Sequence, residues 1–201
     1  MIKAITFDLD GVYFPNGKNN FIKALGDYGI SEEAAKGVFL KSDQMNKLYK
    51  TGQMTDDEFW AWAKGQWNSD LTPKEIVALL ISGYDVDERV IKTIKELKNE
   101  GYKTLICSNN FSARVNGLQQ RFRFLDDFDA AVFSYQVGAV KPSEIIFKEL
   151  IMKSEVEAPE IIFSDDNPDN LAGAKNLGIS TFIYKDFDKF ISALGLLGVK
   201  V

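Results

Sequence analysis

From Gly83 onward the chain alternates short apolar runs with helical patterns, and this rhythm constrains its fold more than any other feature. Val90, Ile91, Ile94 and Leu97 recur at helical spacing, Gly101 supplies a stop, and residues 102–107 read as a strand. Ala131-Val132-Phe133 is a second such run, with a helix expected from Pro142. Ile161-Ile162-Phe163 is a third, with a helix from Pro168, and residues 181–184 precede a last helix around 187–194. Residues 4–9 add a buried strand at the start of the chain. Strands separated by helices pair in parallel, so the pattern predicts an α/β fold with a doubly wound parallel, Rossmann-like sheet.

Between the first strand and this alternation, the texture is helical. Pro15-Asn16-Gly17 breaks the strand. Thr55-Asp56-Asp57-Glu58 is a capping box opening a helix with Phe59, Trp60, Trp62 and Ala63, and Leu71-Thr72-Pro73 opens another with Ile76, Val77 and Leu80 inward. We therefore divide the chain into a catalytic core, 1–14 and 83–201, and a helical cap inserted at 15–82. Trp60, Trp62 and Trp67 are assigned to the insertion's own core rather than to a ligand wall. The run Gly195-Leu196-Leu197-Gly198-Val199 reads as a helix stop followed by a short edge segment.

At 201 residues and 45% hydrophobic content the chain can bury a sizeable core. Its net charge of −5 argues against nucleic acid or an anionic membrane as partner, and Arg121-Phe122-Arg123-Phe124 reads as a solvated helix end. The single cysteine, Cys107, lies in an apolar run and fits a reducing compartment; without a signal or membrane-length segment, a cytoplasmic location is expected. There is no histidine, which removes imidazole metal sites and Ser-His or Cys-His nucleophiles.

Chemistry must therefore come from carboxylates, hydroxyls, amines and amides. In an open parallel sheet, ligands bind outside the carboxyl ends of the strands. Asp8 and Asp10 end the first strand at i and i+2, and strand side chains alternate faces, so both carboxylates point the same way. Two like charges ~4 Å apart at an effective dielectric of ~20 repel by about 4 kcal/mol, so the pair predicts a counter-cation and a chemical role. Ser108-Asn109-Asn110 ends the next strand, Lys141-Pro142 follows the third, and Ser164-Asp165-Asp166-Asn167 ends the fourth. Together they make a phosphoryl-transfer set: a nucleophile, a proton carrier, phosphate-binding groups and acids for a divalent ion.

At these residues the sequence resembles the haloacid dehalogenase superfamily, whose four motifs are matched in order by Asp8-Leu9-Asp10-Gly11-Val12, Ser108, Lys141-Pro142 and Ser164-Asp165-Asp166. The forms are similar to those of small sugar-phosphate phosphatases and of the N-terminal phosphatase of soluble epoxide hydrolases. The resemblance implies that Asp8 attacks phosphorus and that Asp10 protonates the leaving oxygen, then activates water. It implies substrate binding by Ser108, Asn109 and Lys141. It also implies Mg²⁺ held by the Asp8 carboxylate, the Asp10 backbone carbonyl and Asp166, with Asp165 an outer, water-mediated partner. Asn170 stands where many relatives carry another acid. Asp10 favours a phosphatase over a dehalogenase, whose leaving halide needs no proton.

Asp169 follows Pro168 in a first helical turn, where an acid complements the helix dipole, and Asn167 is the expected N-cap. The expected activity is hydrolysis of a small phosphorylated metabolite. A phosphomutase, a phospho-accepting signalling module and a non-catalytic binding protein are the alternatives. Asn19, Asn20, Asn46 and Lys47 could face substrate, but their spacing matches ordinary surface.

Overall fold

The computed structural model describes residues 1–200. Five parallel strands form one sheet: β1 (Ala4–Phe7), β2 (Lys103–Ser108), β3 (Ala130–Phe133), β4 (Ile161–Asp165) and β5 (Ser180–Ile183), ordered β3-β2-β1-β4-β5. The helices are α1 (Gly17–Leu25), α2 (Glu32–Lys36), α3 (Asp56–Trp67), α4 (Pro73–Ser82), α5 (Glu88–Asn99), α6 (Ser112–Phe122), α7 (Ser134–Val137), α8 (Glu144–Ser154), α9 (Ala172–Asn176) and α10 (Phe187–Leu196). No helix among the described residues is long and apolar enough to cross a membrane.

Alternation along the strands sorts their apolar side chains onto two faces. Ile5, Phe7, Ile106 and Ile162 join a cluster with Val90, Ile94 and Leu97 of α5 and with Phe190 and Leu194 of α10. Ala4, Leu105, Cys107, Val132, Ile161 and Phe163 instead pack on Ile146, Phe147 and Leu150 of α8 and on Ala174 of α9. Helices thus cover both faces, as expected of a doubly wound sheet. Phe7 lies beside Ile106 on one side and Ser164 on the other, so the carboxyl ends of β1, β2 and β4 are level. The chain steps from β1 outward to β3 and returns to the other side of β1 at β4, which makes the β1–β4 edge the switch point where ligands settle.

Several boundaries differ from the sequence reading. β1 ends at Phe7, not residue 9, because the Phe14 amide bonds the Leu9 carbonyl and the Gly11 amide bonds the Phe14 carbonyl, closing a turn. Gly11 has φ +79°, and a β-carbon there would collide with the Asp166 carboxylate. α8 begins at Glu144, two residues past Pro142, with Ser143 as its cap. Pro168 opens a 3₁₀ turn that leads into α9, and Asn167 caps it by accepting from the Asp169 amide. No strand follows α10, which runs through Gly195 to Leu196, so the expected edge segment does not form among the described residues.

Residues 17–82 contribute helices and no strand. Both Thr55 and Thr72 form complete capping boxes, and Pro73 occupies the first turn of α4. Two π-helical stretches, Gly37–Lys41 and Gln44–Tyr49, join α2 to α3. Trp60 is buried and donates to the Tyr49 hydroxyl at 3.0 Å, while Trp67 donates to the Ala34 carbonyl at 3.2 Å, as core residues do. Phe111, just past β2, lies 4.6 Å from the Tyr49 ring and 6.1 Å from Trp60, so the insertion and the sheet share one aromatic cluster.

Candidate active site

The loops after β1, β2, β3 and β4 converge at the carboxyl edge. Asp8, directly after β1, has an 8% exposed side chain, and its Oδ1 lies 3.1 Å from Lys141 Nζ. The wholly buried Lys141 ammonium also donates to Asp165 Oδ2 at 2.5 Å and to the Cys107 carbonyl at 2.9 Å. Burial pulls the ammonium down, but Asp8 and Asp165 outweigh burial and hold it above the ordinary lysine range. Asp8 is itself pushed up, first by burial, against the pull of Lys141 and with the push of Asp165 and Asp10.

Ser108, the last residue of β2, has a buried hydroxyl with no hydrogen-bond partner, an arrangement that costs free energy unless a ligand completes it. Asn109, the next residue, also has a role within the protein. Its side chain is spent on the Lys141 backbone, Oδ1 accepting from the Lys141 amide at 2.7 Å and Nδ2 donating to its carbonyl at 3.2 Å. An amide clasped in both directions fixes the lysine loop, and it leaves the second Nδ2 proton free for a ligand.

Asp10 has cationic partners of its own. Its Oδ2 is 2.9 Å from Arg114 and 3.0 Å from Lys18, and its Oδ1 accepts from the Tyr84 hydroxyl at 3.3 Å. The strand ends at Phe7, so both acids stand on the loop beyond it, and each faces cations of the protein itself, Lys141 for Asp8 and Arg114 with Lys18 for Asp10. Burial pushes Asp10 up, but Arg114 and Lys18 together overcome it and hold the carboxyl below its usual range. Arg114 is buried and aimed by its contacts with Asn110 Oδ1 at 2.6 Å, the Tyr84 hydroxyl at 3.1 Å and the Asn109 carbonyl at 3.2 Å. Tyr84 in turn packs flat on Gly17, where any β-carbon would strike its ring.

After β4 the two acids separate in role. Asp165 is wholly buried and saturated: Oδ2 receives Lys141, and Oδ1 accepts from the Asn167 amide and the Asn170 side chain, each at 2.9 Å. Asp166 has no protein hydrogen bond or ion pair among the described residues and is pushed up to about 6 by burial, Asp8 and Asp165. Carboxylate oxygens of Asp8, Asp165 and Asp166 lie within 4.8 Å of one another, a donor set that suits a hard divalent cation. A cavity of about 210 Å³ opens beside them, lined by Asp10, Gly11, Phe14, Lys18, Asn19 and Asp166. This is below the ~300 Å³ floor of pockets for drug-sized ligands, so a compact ligand fits.

Four participants escaped the sequence reading. Lys18, Arg114 and Tyr84 surround Asp10, and Lys50, at the end of the second π-helical stretch, adds a further positive charge acting on Asp10. Lys50 Nζ is held by Asn46 Oδ1 at 2.9 Å. Burial and its cationic neighbours Lys18 and Arg114 bring it down to about 7.

The haloacid dehalogenase-like hydrolase family matches residues 2–178. D-ribitol-5-phosphate phosphatase of Bacteroides thetaiotaomicron is 26% identical over 90% of this chain and 91% of its own length. Bifunctional epoxide hydrolase 2 of Sus scrofa is 23% identical over 96% of the chain, which spans only 38% of that longer protein. Among solved structures, a HAD-family enzyme of B. thetaiotaomicron crystallised as a magnesium complex superposes with a TM-score of 0.79 over 94% of this chain and 98% of its own, at 22% identity. The matched span covers every strand except the last, together with the whole cluster around Asp8, and the chain belongs to the haloacid dehalogenase-like hydrolases.

Proposed function

We propose that this protein is a Mg²⁺-dependent phosphatase that hydrolyses a small phosphomonoester through an aspartyl-phosphate on Asp8. The observation that carries this reading is the pairing of a buried carboxylate with the Lys141 ammonium, beside an unpartnered Ser108 hydroxyl. An Asp8 oxygen attacks phosphorus, the ester P–O bond breaks, and the alcohol leaves with a proton from Asp10. Asp10 then takes a proton from water as that water attacks phosphorus, which releases inorganic phosphate and restores Asp8. Lys141 and Ser108 hold phosphoryl oxygens throughout.

Asp10 is ionised in the free enzyme because Arg114 and Lys18 hold it so. An arriving phosphoryl dianion adds negative charge beside Asp10 and raises its affinity for a proton, which readies it as the acid of the first step. Asp8, the Asp10 backbone carbonyl and Asp166, which has no protein partner among the described residues, would hold Mg²⁺, and the ion would supply positive charge that lets an anionic substrate approach. The helices of 17–82 serve as a cap that limits substrate size and excludes bulk water.

The test is phosphate release from a panel of phosphomonoesters with Mg²⁺. Turnover is expected for at least one compact member, with Asp8→Asn slower by ~10³-fold or more. No turnover across the panel, or an Asp8→Asn variant as fast as wild type, refutes the reading.

A further inference from the structure

Lys50 is a cation without an acid. Asn46 is locked in orientation because its Nδ2 donates to the Leu40 carbonyl at 2.8 Å and the Ser42 carbonyl at 3.1 Å, so its Oδ1 is turned to receive the lysine. The remaining charges acting on Lys50 are Lys18, Arg114, Asp10 and Asp8. Asp10 is already paired with both Arg114 and Lys18, and Asp8 with Lys141. Lys50 is therefore a third positive charge acting on the Asp10 carboxylate, which Arg114 and Lys18 already pair. Holding a partly buried ammonium there is unfavourable unless an anion arrives to share it.

The phosphoryl group already has partners of its own in Lys141 and the unpartnered Ser108 hydroxyl, which leaves Lys50 for a second anion. The cavity of about 210 Å³ beside Asp10, with Lys18 and Asn19 in its wall together with Asp10 and Asp166, has room for a compact group. We propose that Lys50 and Lys18 form a subsite for a second negative charge, and that the preferred substrate is a small phosphomonoester whose alcohol portion bears a carboxylate. This rests on the phosphatase reading and adds a substrate class to it.

The experiment compares 2-phosphoglycolate with 2-hydroxyethyl phosphate, which differ by a carboxylate against a hydroxymethyl group. In wild type the carboxylate-bearing ester is expected to have at least tenfold higher kcat/KM. That preference should fall at least tenfold in Lys50→Met, through KM, and return in Lys50→Arg, with thermal melts confirming that each variant folds. A smaller wild-type preference, or a smaller fall, overturns the subsite. Calorimetric binding of phosphonoacetate against ethylphosphonate to wild type reads the same preference without turnover, again at least tenfold. Hydrolysis of both esters without any preference leaves the phosphatase and removes the subsite. Phosphonoacetate preference without hydrolysis of any ester keeps the subsite and removes the phosphatase.

Discussion

Asp165 and Asp166 are neighbours in the chain, yet the fold treats their charges in opposite ways. Asp165 answers Lys141 and two further donors, whereas Asp166 faces Asp8 and Asp165 with only the weaker pull of Lys18 against them. Removing one partner of a buried ion pair strands the other, so Asp165→Asn should lose about 3–5 kcal/mol of stability in urea titration. Asp166→Asn should do the reverse in metal-free protein. Its carboxyl is raised from 3.8 to about 6, so its charge counts against folding above pH 6, progressively less between 6 and 4, and not at all below. In EDTA the variant should therefore melt higher than wild type at pH 7 and equal to it at pH 4. Added Mg²⁺ should invert the order at pH 7, because only wild type retains the full ligand set. If Asp166→Asn is less stable in EDTA at pH 7, the unpartnered acid is not a metal ligand in waiting. Asp8, Asp10, Ser108, Lys141 and Asp166 were legible because short motifs at strand ends name them. Arg114 and Lys50 were not. Each stands on a helical segment at spacing typical of solvated surface, and burial there depends on what Asn110, Tyr84 and Asn46 do in three dimensions.

At the scale of elements, α9 carries the clearest dependence of chemistry on packing. A β-carbon at Gly173 would run into the Pro142 carbonyl and approach Phe147 at 3.1 Å, so this helix sits directly on the loop that presents Lys141. Gly173→Ala should cost about 1–3 kcal/mol as an overpacked contact and should also lower kcat, because the lysine loop must move. Thr72→Ala is the comparison: it removes an exposed capping box far from that loop and should cost about 1 kcal/mol with kcat unchanged. Equal kcat in the two variants would show that α9 supports the fold without aiming Lys141. Capping boxes, the Gly101 stop and the Asn167 cap could be read locally, since each depends on contacts within a few residues. The end of β1 could not, because Leu9 continues the apolar pattern and only the Leu9–Phe14 bond and Gly11's positive φ turn the chain away. Pro142 misplaced the start of α8 for a related reason: Ser143 makes the cap, and the proline lies outside it.

Across the whole molecule, the question is whether the inserted helices and the sheet stand or fall together. Phe111 stacks on Tyr49, and Asp56 of α3 accepts from the Ser112 hydroxyl at 2.5 Å and the Ala113 amide at 3.1 Å, capping α6 from the insertion. The α6 N-terminus has no cap of its own, so separating the two parts would expose both an aromatic face and unsatisfied amides. The chain carries a natural reporter in each part. All three tryptophans, Trp60, Trp62 and Trp67, belong to the insertion, and the lone Cys107 is buried in β2 with its thiol pushed up to about 12 by burial. A thiol that is both buried and protonated does not react in place, so labelling must wait for the sheet to open. Tryptophan fluorescence and Cys107 labelling should therefore report the same urea midpoint. Phosphate with Mg²⁺ should slow labelling in native buffer by the factor 1 + [L]/Kd, because the site draws on β1, β2 and β4 and is lost when they part. A tryptophan transition at lower urea than the labelling transition would mean that the insertion melts on its own, as a lid hinged on a stable core.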